Sequence, residues 1–280
     1  MDVLIGPTVV AVTSQERHVS AEIQVAVDQP ADIVFAIAIA GGFELGVEEL
    51  SMSVSGQAVD FHEIQSSART RLHRAPALPV GELVVNYRAS LTDGPLPAPC
   101  AEPDEVLYVR PSRYCDSDRL ANIAFSHFKG HSGMDLVASV RDWVNKNIRY
   151  TMGSSRVVDG ALDTYLSRRG VCRDMAHLVI TFLRAMGMPA RLAAVYAPGL
   201  TPMDFHAVAE VLVEGRWIVV DPTGLAPRAS MVRISTGRDA SDTAFMTTMS
   251  GRTRFSSMTV TAVVEGELVA EDPHQVVELS

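Results

Sequence analysis

A cysteine, a histidine and an aspartate stand in three settings suited to nucleophilic catalysis. Cys172 opens the apolar-periodic run GVCRDMAHLVITFLRAMG, His206 lies early in DFHAVAEVLVEG, and Asp221 ends RWIVVDPTG. A thiol attacks an acyl carbon well only as thiolate. The first turn of a helix, with unpaired N–H groups and a positive dipole end, favours that form. The same N–H groups can hold the oxyanion of a tetrahedral intermediate. Gly170, just upstream, is expected to leave the loop room for a substrate carbonyl. Each residue alone has a plainer reading: a buried structural cysteine, a satisfied core histidine, a turn aspartate ahead of Pro222. Their order and element types together favour the chemical one.

Residues so far apart in sequence must be brought together by the elements that carry them. Glu214-Gly215 reads as the tip of a hairpin. With an even loop, Val213 opposes Arg216 and Val208 opposes Asp221. His206 and Asp221 then become diagonal cross-strand neighbours on one face, roughly 5–8 Å apart at Cβ. An odd loop would send them to opposite faces. On the even register, Asp221 fixes the imidazole tautomer and His206 takes the thiol proton. The Cys172 helix is expected to turn Met175, Ala176, Val179, Phe182, Leu183 and Met186 inward and to stop at Gly187 and Pro189. Asp174 complements the helix dipole, and His177 reads as polar packing off the Cys172 face. Cys172, His177 and His206 lack paired zinc-ligand spacing, and neither a calcium loop nor a phosphate-binding loop occurs. No metal and no cofactor is expected.

The surrounding pattern has two parts. Through residue 92 the chain reads as strands and turns. Ala21, Ile23, Val25 and Val27 alternate with polar neighbours, as do Leu50, Met52 and Val54, and Leu83, Val85, Tyr87 and Ala89. Several short strands at this spacing predict a β-sandwich. The stretch DGPLPAPCAEPDE reads as a linker. Beyond it the period becomes helical, with Leu136, Val140, Trp143, Val144 and Ile148 forming one stripe and Trp143 packing in a core. A short helix is expected over Leu162–Arg168, then the Cys172 helix, then strands at ARLAAVY, FHAVAEVLV and RWIVV. A late strand in RFSSMTVTAVVEG precedes a polar tail. The expected organisation is an N-terminal β-sandwich over 1–95, a linker over 96–110 and an α+β catalytic domain over 111–280.

Size and composition narrow the function classes. The chain has 280 residues, enough for one large or two ordinary domains. Its 47% hydrophobic and 20% charged content is that of a globular protein. A net charge of −9 with no basic block gives no footprint for nucleic acid. The longest apolar run, Ile33 to Ala40, suits a buried strand, not a membrane span. Met1-Asp2 is not followed by a basic n-region, so no secretory signal is expected. Cys100, Cys115 and Cys172 are too few for a disulfide framework, which points to a reducing, cytoplasmic setting. Sheet edges able to pair with a second copy leave a homo-oligomer open.

At GVCRDMAH, FHAVAEV and WIVVDPT the chain resembles the transglutaminase-like superfamily, in particular its small bacterial branch of transglutaminase-like cysteine proteases. PARLAAVY and VRISTGRDASDTAF add to the likeness, which runs from LYVRPSRYC onward. The resemblance implies a papain-like catalytic core behind a β-sandwich domain. It also implies Cys172 as nucleophile, His206 as general base and acid, and Asp221 as orienting carboxylate. Ala207-Val208 departs from the family, which often has an aromatic after the histidine, so the wall beside His206 is expected to differ. The calcium dependence of animal members does not carry over, because no matching ligand set occurs. The family does not fix a reaction, since its bacterial members include proteases and amidases as well as cross-linkers. An acyl-transfer enzyme acting on peptide or protein amides is expected, with hydrolysis favoured over transamidation because excluding water needs a closed tunnel; the alternative is a non-catalytic binding or scaffold protein that kept the fold.

Overall fold

The computed structural model describes residues 15–66, 69–92 and 100–279. The start of the chain and residues 93–99 of the expected linker lie outside these. The first part is all β: β1 (Arg17–Phe35), β2 (Leu45–Val54), β3 (Gln57–Ala58), β4 (His62–Gln65), β5 (Arg71–Leu78) and β6 (Gly81–Leu91). Helices α1 (Glu102–Val109), α2 (Ser117–Phe128) and α3 (Gly133–Asn147) follow. Next come β7 (Arg149–Tyr150), α4 (Ala161–Ser167), β8 (Arg169–Gly170) and α5 (Cys172–Ala185). The chain then runs through β9 (Ala190–Tyr196), β10 (Phe205–Val213), β11 (Arg216–Val220), β12 (Val232–Gly237) and β13 (Met246–Val264).

The alternation in β1 buries Val19, Ala21, Ile23, Val25 and Val27, so one face meets the core. The strands expected to form a β-sandwich instead hydrogen-bond into one seven-stranded sheet, in the order β3-β2-β6-β1-β5-β4 with β13 beside β1. β1 is the shared spine: Arg17–Val27 pairs with β6, and Ala31–Phe35 pairs with β5. β13 runs antiparallel along its whole length, with register shifts between Gln24 and Ile33. Gly251 sits at that irregularity with φ +83°, where an added Cβ would lie 2.2 Å from the Pro30 carbonyl oxygen. Only glycine serves both demands.

Two of the expected boundaries are corrected by these elements. The late strand assigned to the 111–280 domain is β13, and it pairs with β1 of the N-terminal sheet. Strand pairing is non-local, so its partner could not be read from the strand's own pattern. Within the 96–110 linker, Glu102–Val109 is helical. Pro103 falls in the first turn, where its missing N–H costs nothing, and acidic Glu102, Asp104 and Glu105 suit the dipole.

The second sheet, β11-β10-β9-β12, is antiparallel. α2, α3, α4 and α5 cover it, burying Leu120, Phe128, Val140, Val144, Phe182 and Leu183 in one core with Ala209, Val211 and Ile218. Each of the Val, Leu, Ile and Phe side chains among these contributes roughly 1.5–3 kcal/mol on burial. Trp143 packs against this core, stacked on Tyr165 and edge-on to Phe182. The two sheets also share a core, in which Tyr196, Val232 and Ile234 join Ile23, Phe35 and Val85. The run Ile33–Ala40 is a strand only as far as Phe35; Ala36–Ala40 continue as buried, irregular backbone. Its polar groups are nonetheless paired: Ala36 N–H donates to the Phe245 carbonyl, Ala40 N–H donates to the Arg233 carbonyl, and Tyr196 Oη donates to the Ile37 carbonyl. This segment ties the first sheet to the sheet that carries His206. Among the described residues no helix is long and apolar enough to cross a membrane.

Candidate active site

Cys172 is the first residue of α5 and is half-buried. The helix starts there because Val171 is extended (φ −107°, ψ −177°) and its N–H donates to Asp174 Oδ2 at 2.9 Å. Asp174 does more than complement the dipole. It is buried, and its Oδ1 accepts from Ser155 Oγ at 2.8 Å and from Arg173 Nη2 at 3.1 Å. Gly170 serves this cap: a Cβ there would lie 2.7 Å from the Asp174 Cβ. His177 is polar packing of a definite kind, buried, stacked on Tyr114 and accepting from the Ala240 N–H at 3.1 Å.

The two other cysteines occupy different environments. Cys115 is fully buried, and burial pushes its thiol up to about 12. Cys100 is half-buried, and burial followed by the charges of Asp104 and Glu105 raises its thiol above the ordinary value.

His206 and Asp221 meet as the hairpin register requires. Val213 pairs with Arg216 and Ala209 with Val220. Glu214 (φ 50°) and Gly215 (φ 78°) form the two-residue tip. Asp221 thus falls just past the ladder on the His206 face. His206 Nε2 donates to Asp221 Oδ2 at 2.9 Å, with both side chains buried. The other carboxylate oxygen, Oδ1, accepts from the Thr223 N–H at 2.8 Å and from Thr223 Oγ1 at 2.7 Å. Asn145 Nδ2 donates to the Pro222 carbonyl at 2.7 Å and braces that turn.

The remaining ring nitrogen, His206 Nδ1, is buried without a hydrogen bond of ordinary length and angle. Cys172 is close enough for its hydrogen bonding and charge to act on the ring. Burial works to lower the His206 pKa, but the charge and hydrogen bond of Asp221, with the Cys172 side chain, outweigh it and raise the pKa to about 10. For Asp221, burial acts upward, and His206 and Thr223 together hold the carboxyl below its ordinary value. His206 and Asp221 are thus hydrogen-bonded to each other, and the Cys172 side chain acts on the same ring.

Two further groups join them. Tyr150 is carried in by β7, which pairs in parallel with β8 so that Tyr150 faces Gly170. Its hydroxyl is pushed up to about 12, first by burial and then by the charges of Cys172 and Asp204, while the Cys172 backbone N–H hydrogen-bonds to it and acts downward. Asp204 precedes β10, and its Oδ1 accepts from the Phe205 N–H at 2.7 Å. Burial raises the Asp204 carboxyl, opposed by Phe205 and by the charge of His206. Neither residue carries a sequence signal: a two-residue strand has no periodicity, and an aspartate before a strand reads as a turn. Among the described residues, the one group of side chains spaced to hold a metal is Glu16, His18 and Glu265, which lies on the seven-stranded sheet and includes none of these five.

Residues 127–222 match the model of the transglutaminase-like superfamily, a span that contains Cys172, His206 and Asp221. The chain is similar to the solved structure of a candidate cysteine protease from Cytophaga hutchinsonii, with a TM-score of 0.82 and 29% identity over 92% of this chain and 93% of that one. It is 31% identical over 154 residues to an uncharacterized protein of Mycobacterium leprae, covering 50% of this chain and 53% of that protein. An uncharacterized protein of Mycobacterium tuberculosis is 33% identical over 130 residues, covering 38% of this chain and 40% of the other. The chain spans about half the length, or less, of these curated relatives.

Proposed function

Because the chain carries a transglutaminase-like domain, we propose that it is a cysteine-dependent acyl-transfer enzyme that hydrolyses amide bonds of peptide or protein substrates. His206 Nδ1 holds the proton taken from the Cys172 thiol, and the thiolate Sγ attacks the amide carbonyl carbon. The oxyanion forms beside the Cys172 N–H and the Tyr150 hydroxyl. Collapse of the tetrahedral intermediate expels the amine, which leaves with the proton returned by His206, and a thioester remains on Cys172. Water, deprotonated by His206, then attacks the thioester, releases the acid and restores the thiol. Asp221 holds the ring with Nδ1 toward the sulfur and stabilises the imidazolium between the two transfers. A reducing compartment belongs to this reading, since the nucleophile must remain a free thiol.

The observation that carries the proposal is the asymmetry of the His206 ring: Nε2 is held by Asp221, and Nδ1 is left open where the Cys172 side chain acts on it. An activated ester, 4-nitrophenyl acetate, tests it without knowledge of the natural substrate. A burst of nitrophenolate equal to the enzyme concentration is expected, with the acetyl group located on Cys172 by peptide mass mapping. Cys172→Ala should lose the burst and keep its unfolding midpoint. An undiminished burst in that variant would falsify the assignment.

A further inference from the structure

The site is assembled from two halves carried by different layers. Cys172 starts α5 in the helical layer, while His206 and Asp221 belong to the β10–β11 hairpin. Proton transfer between thiol and imidazole depends on how far apart these halves are held. The hairpin ladder fixes only part of that distance. Its last pair is Ala209 with Val220, so Asp221 and Pro222 lie beyond it. Both are buried, and the Pro222 carbonyl takes its hydrogen bond from outside the hairpin, from Asn145 Nδ2 at 2.7 Å.

Asn145 stands in the last turn of α3, and the chain leaving that turn goes straight to the other half. Ile148, buried in the helical core, donates its N–H to the Val144 carbonyl at 2.9 Å and closes the helix. β7 follows at once. Arg149 N–H donates to the Arg168 carbonyl at 2.9 Å, and Thr151 N–H donates to the Gly170 carbonyl at 2.9 Å. Tyr150 stands opposite Gly170, just ahead of Cys172. The segment 145–151 therefore grips the Asp221 turn by a side chain and the approach to Cys172 by its backbone.

We infer that Asn145 is a positioning residue, and that segment 145–151 is a bracket setting the spacing between Cys172 and the His206–Asp221 pair. This rests on the acyl-transfer reading and adds to it a residue that touches no reacting group. An amide on a packed helix makes a stiff link, because only two side-chain torsions separate it from the backbone. Without it Asp221 keeps its local bonds to Thr223, but the turn loses its tie to α3.

Asn145→Ala tests the bracket. Position 145 is exposed and helical, where alanine is well tolerated, so the variant should fold with an unfolding midpoint near that of the parent. With 4-nitrophenyl acetate, the limiting rate constant of the burst should fall by about tenfold. The ester concentration giving half that rate should not change, because Asn145 does not meet the substrate. A second readout needs no turnover. The His206 ring, raised to about 10 by Asp221 and the Cys172 side chain against the effect of burial, should titrate lower by NMR once both neighbours loosen. Asn145→Gln keeps an amide donor and should return both readings toward the parent. A ring that titrates as in the parent overturns the inference, whatever the midpoint does, since a merely structural brace would move the midpoint alone. A rate loss confined to the half-saturating concentration overturns it too. If the parent gives no burst but Asn145→Ala still moves the ring, the acyl-transfer reading fails and the bracket stands.

Discussion

β10 buries two polar side chains on one face, four residues apart, and satisfies them in opposite ways. Glu210 is fully buried, and both its oxygens are used: Arg233 Nη1 and Nη2 donate at 2.9 and 2.7 Å, and Arg191 Nε donates at 2.7 Å. Burial acts to raise its carboxyl, but the two guanidinium groups hold it down at about 2. His206 is equally buried, yet only one of its ring nitrogens has a hydrogen-bond partner of ordinary geometry. Buried polar groups in proteins are nearly always paired, so a fully matched cluster is structural and an unfilled valence needs a reason. In β1, by contrast, Ser20, Glu22, Gln24 and Asp28 alternate outward, with Glu22 and Asp28 exposed.

The sharpest way to break the comparison is to alter each cluster and ask what fails. Glu210→Ala leaves buried Arg233 and half-buried Arg191 without their anion, and should cost about 3–5 kcal/mol in urea unfolding. Acylation of Cys172 in the folded protein should keep the parent rate. His206→Gln, whose amide can still donate to Asp221, should slow acylation by about 10²–10⁴-fold with an unfolding midpoint near that of the parent. Equal loss of activity in the two variants would remove the distinction between a structural and a reactive pair.

A smaller effect separates the two causes acting on the imidazole. With Asp221 in place the ring keeps its proton up to about pH 10, against about 6.5 when free. A raised pKa stabilises the fold fully below about 6.5, and that contribution is lost as pH climbs toward 10. Asp221 itself works in the other direction, contributing above the ordinary carboxyl range and losing its contribution on acidification. In Asp221→Asn the dominant remaining influence on the ring is burial, which lowers its pKa. The ring resonances followed by NMR should then titrate below the ordinary histidine value, and the alkaline loss of stability expected of the parent should disappear. A ring that still titrates near 10 would assign the shift to Cys172 instead.

What the sequence disclosed follows the range of each interaction. The Cys172 helix was legible because its apolar period is local, and the His206–Asp221 register was legible because a two-residue tip fixes cross-strand parity. Tyr150 was not, since it reaches Cys172 through the parallel pairing with Gly170, a partner 20 positions on with no pattern of its own. β13 was legible as a strand but not as a partner of β1, which lies more than 200 residues earlier. α2 is hard to see in the sequence because its buried apolar stripe is only Leu120, Ala124 and Phe128. At Gly170 the smallness is legible but its use in the cap is not, since that depends on Asp174 folding back over the glycine.

The finest test of the comparison lies one hydrogen bond away from the imidazole. Asp221 Oδ1 takes two donors from Thr223, the backbone N–H and the hydroxyl. Thr223→Val keeps the first, preserves the side chain's shape and deletes the second, at a stability cost of about 1 kcal/mol. If Asp221 acts by holding the ring in place, a carboxylate freed on one side should rotate, and acylation should fall by a few-fold. Thr223→Ser restores the hydroxyl and should restore the rate. A rate loss that Ser cannot rescue would point to packing by the threonine methyl. No rate loss at all would mean that the Nε2 bond alone orients His206, so that this histidine needs only one of the two supports the structure gives it.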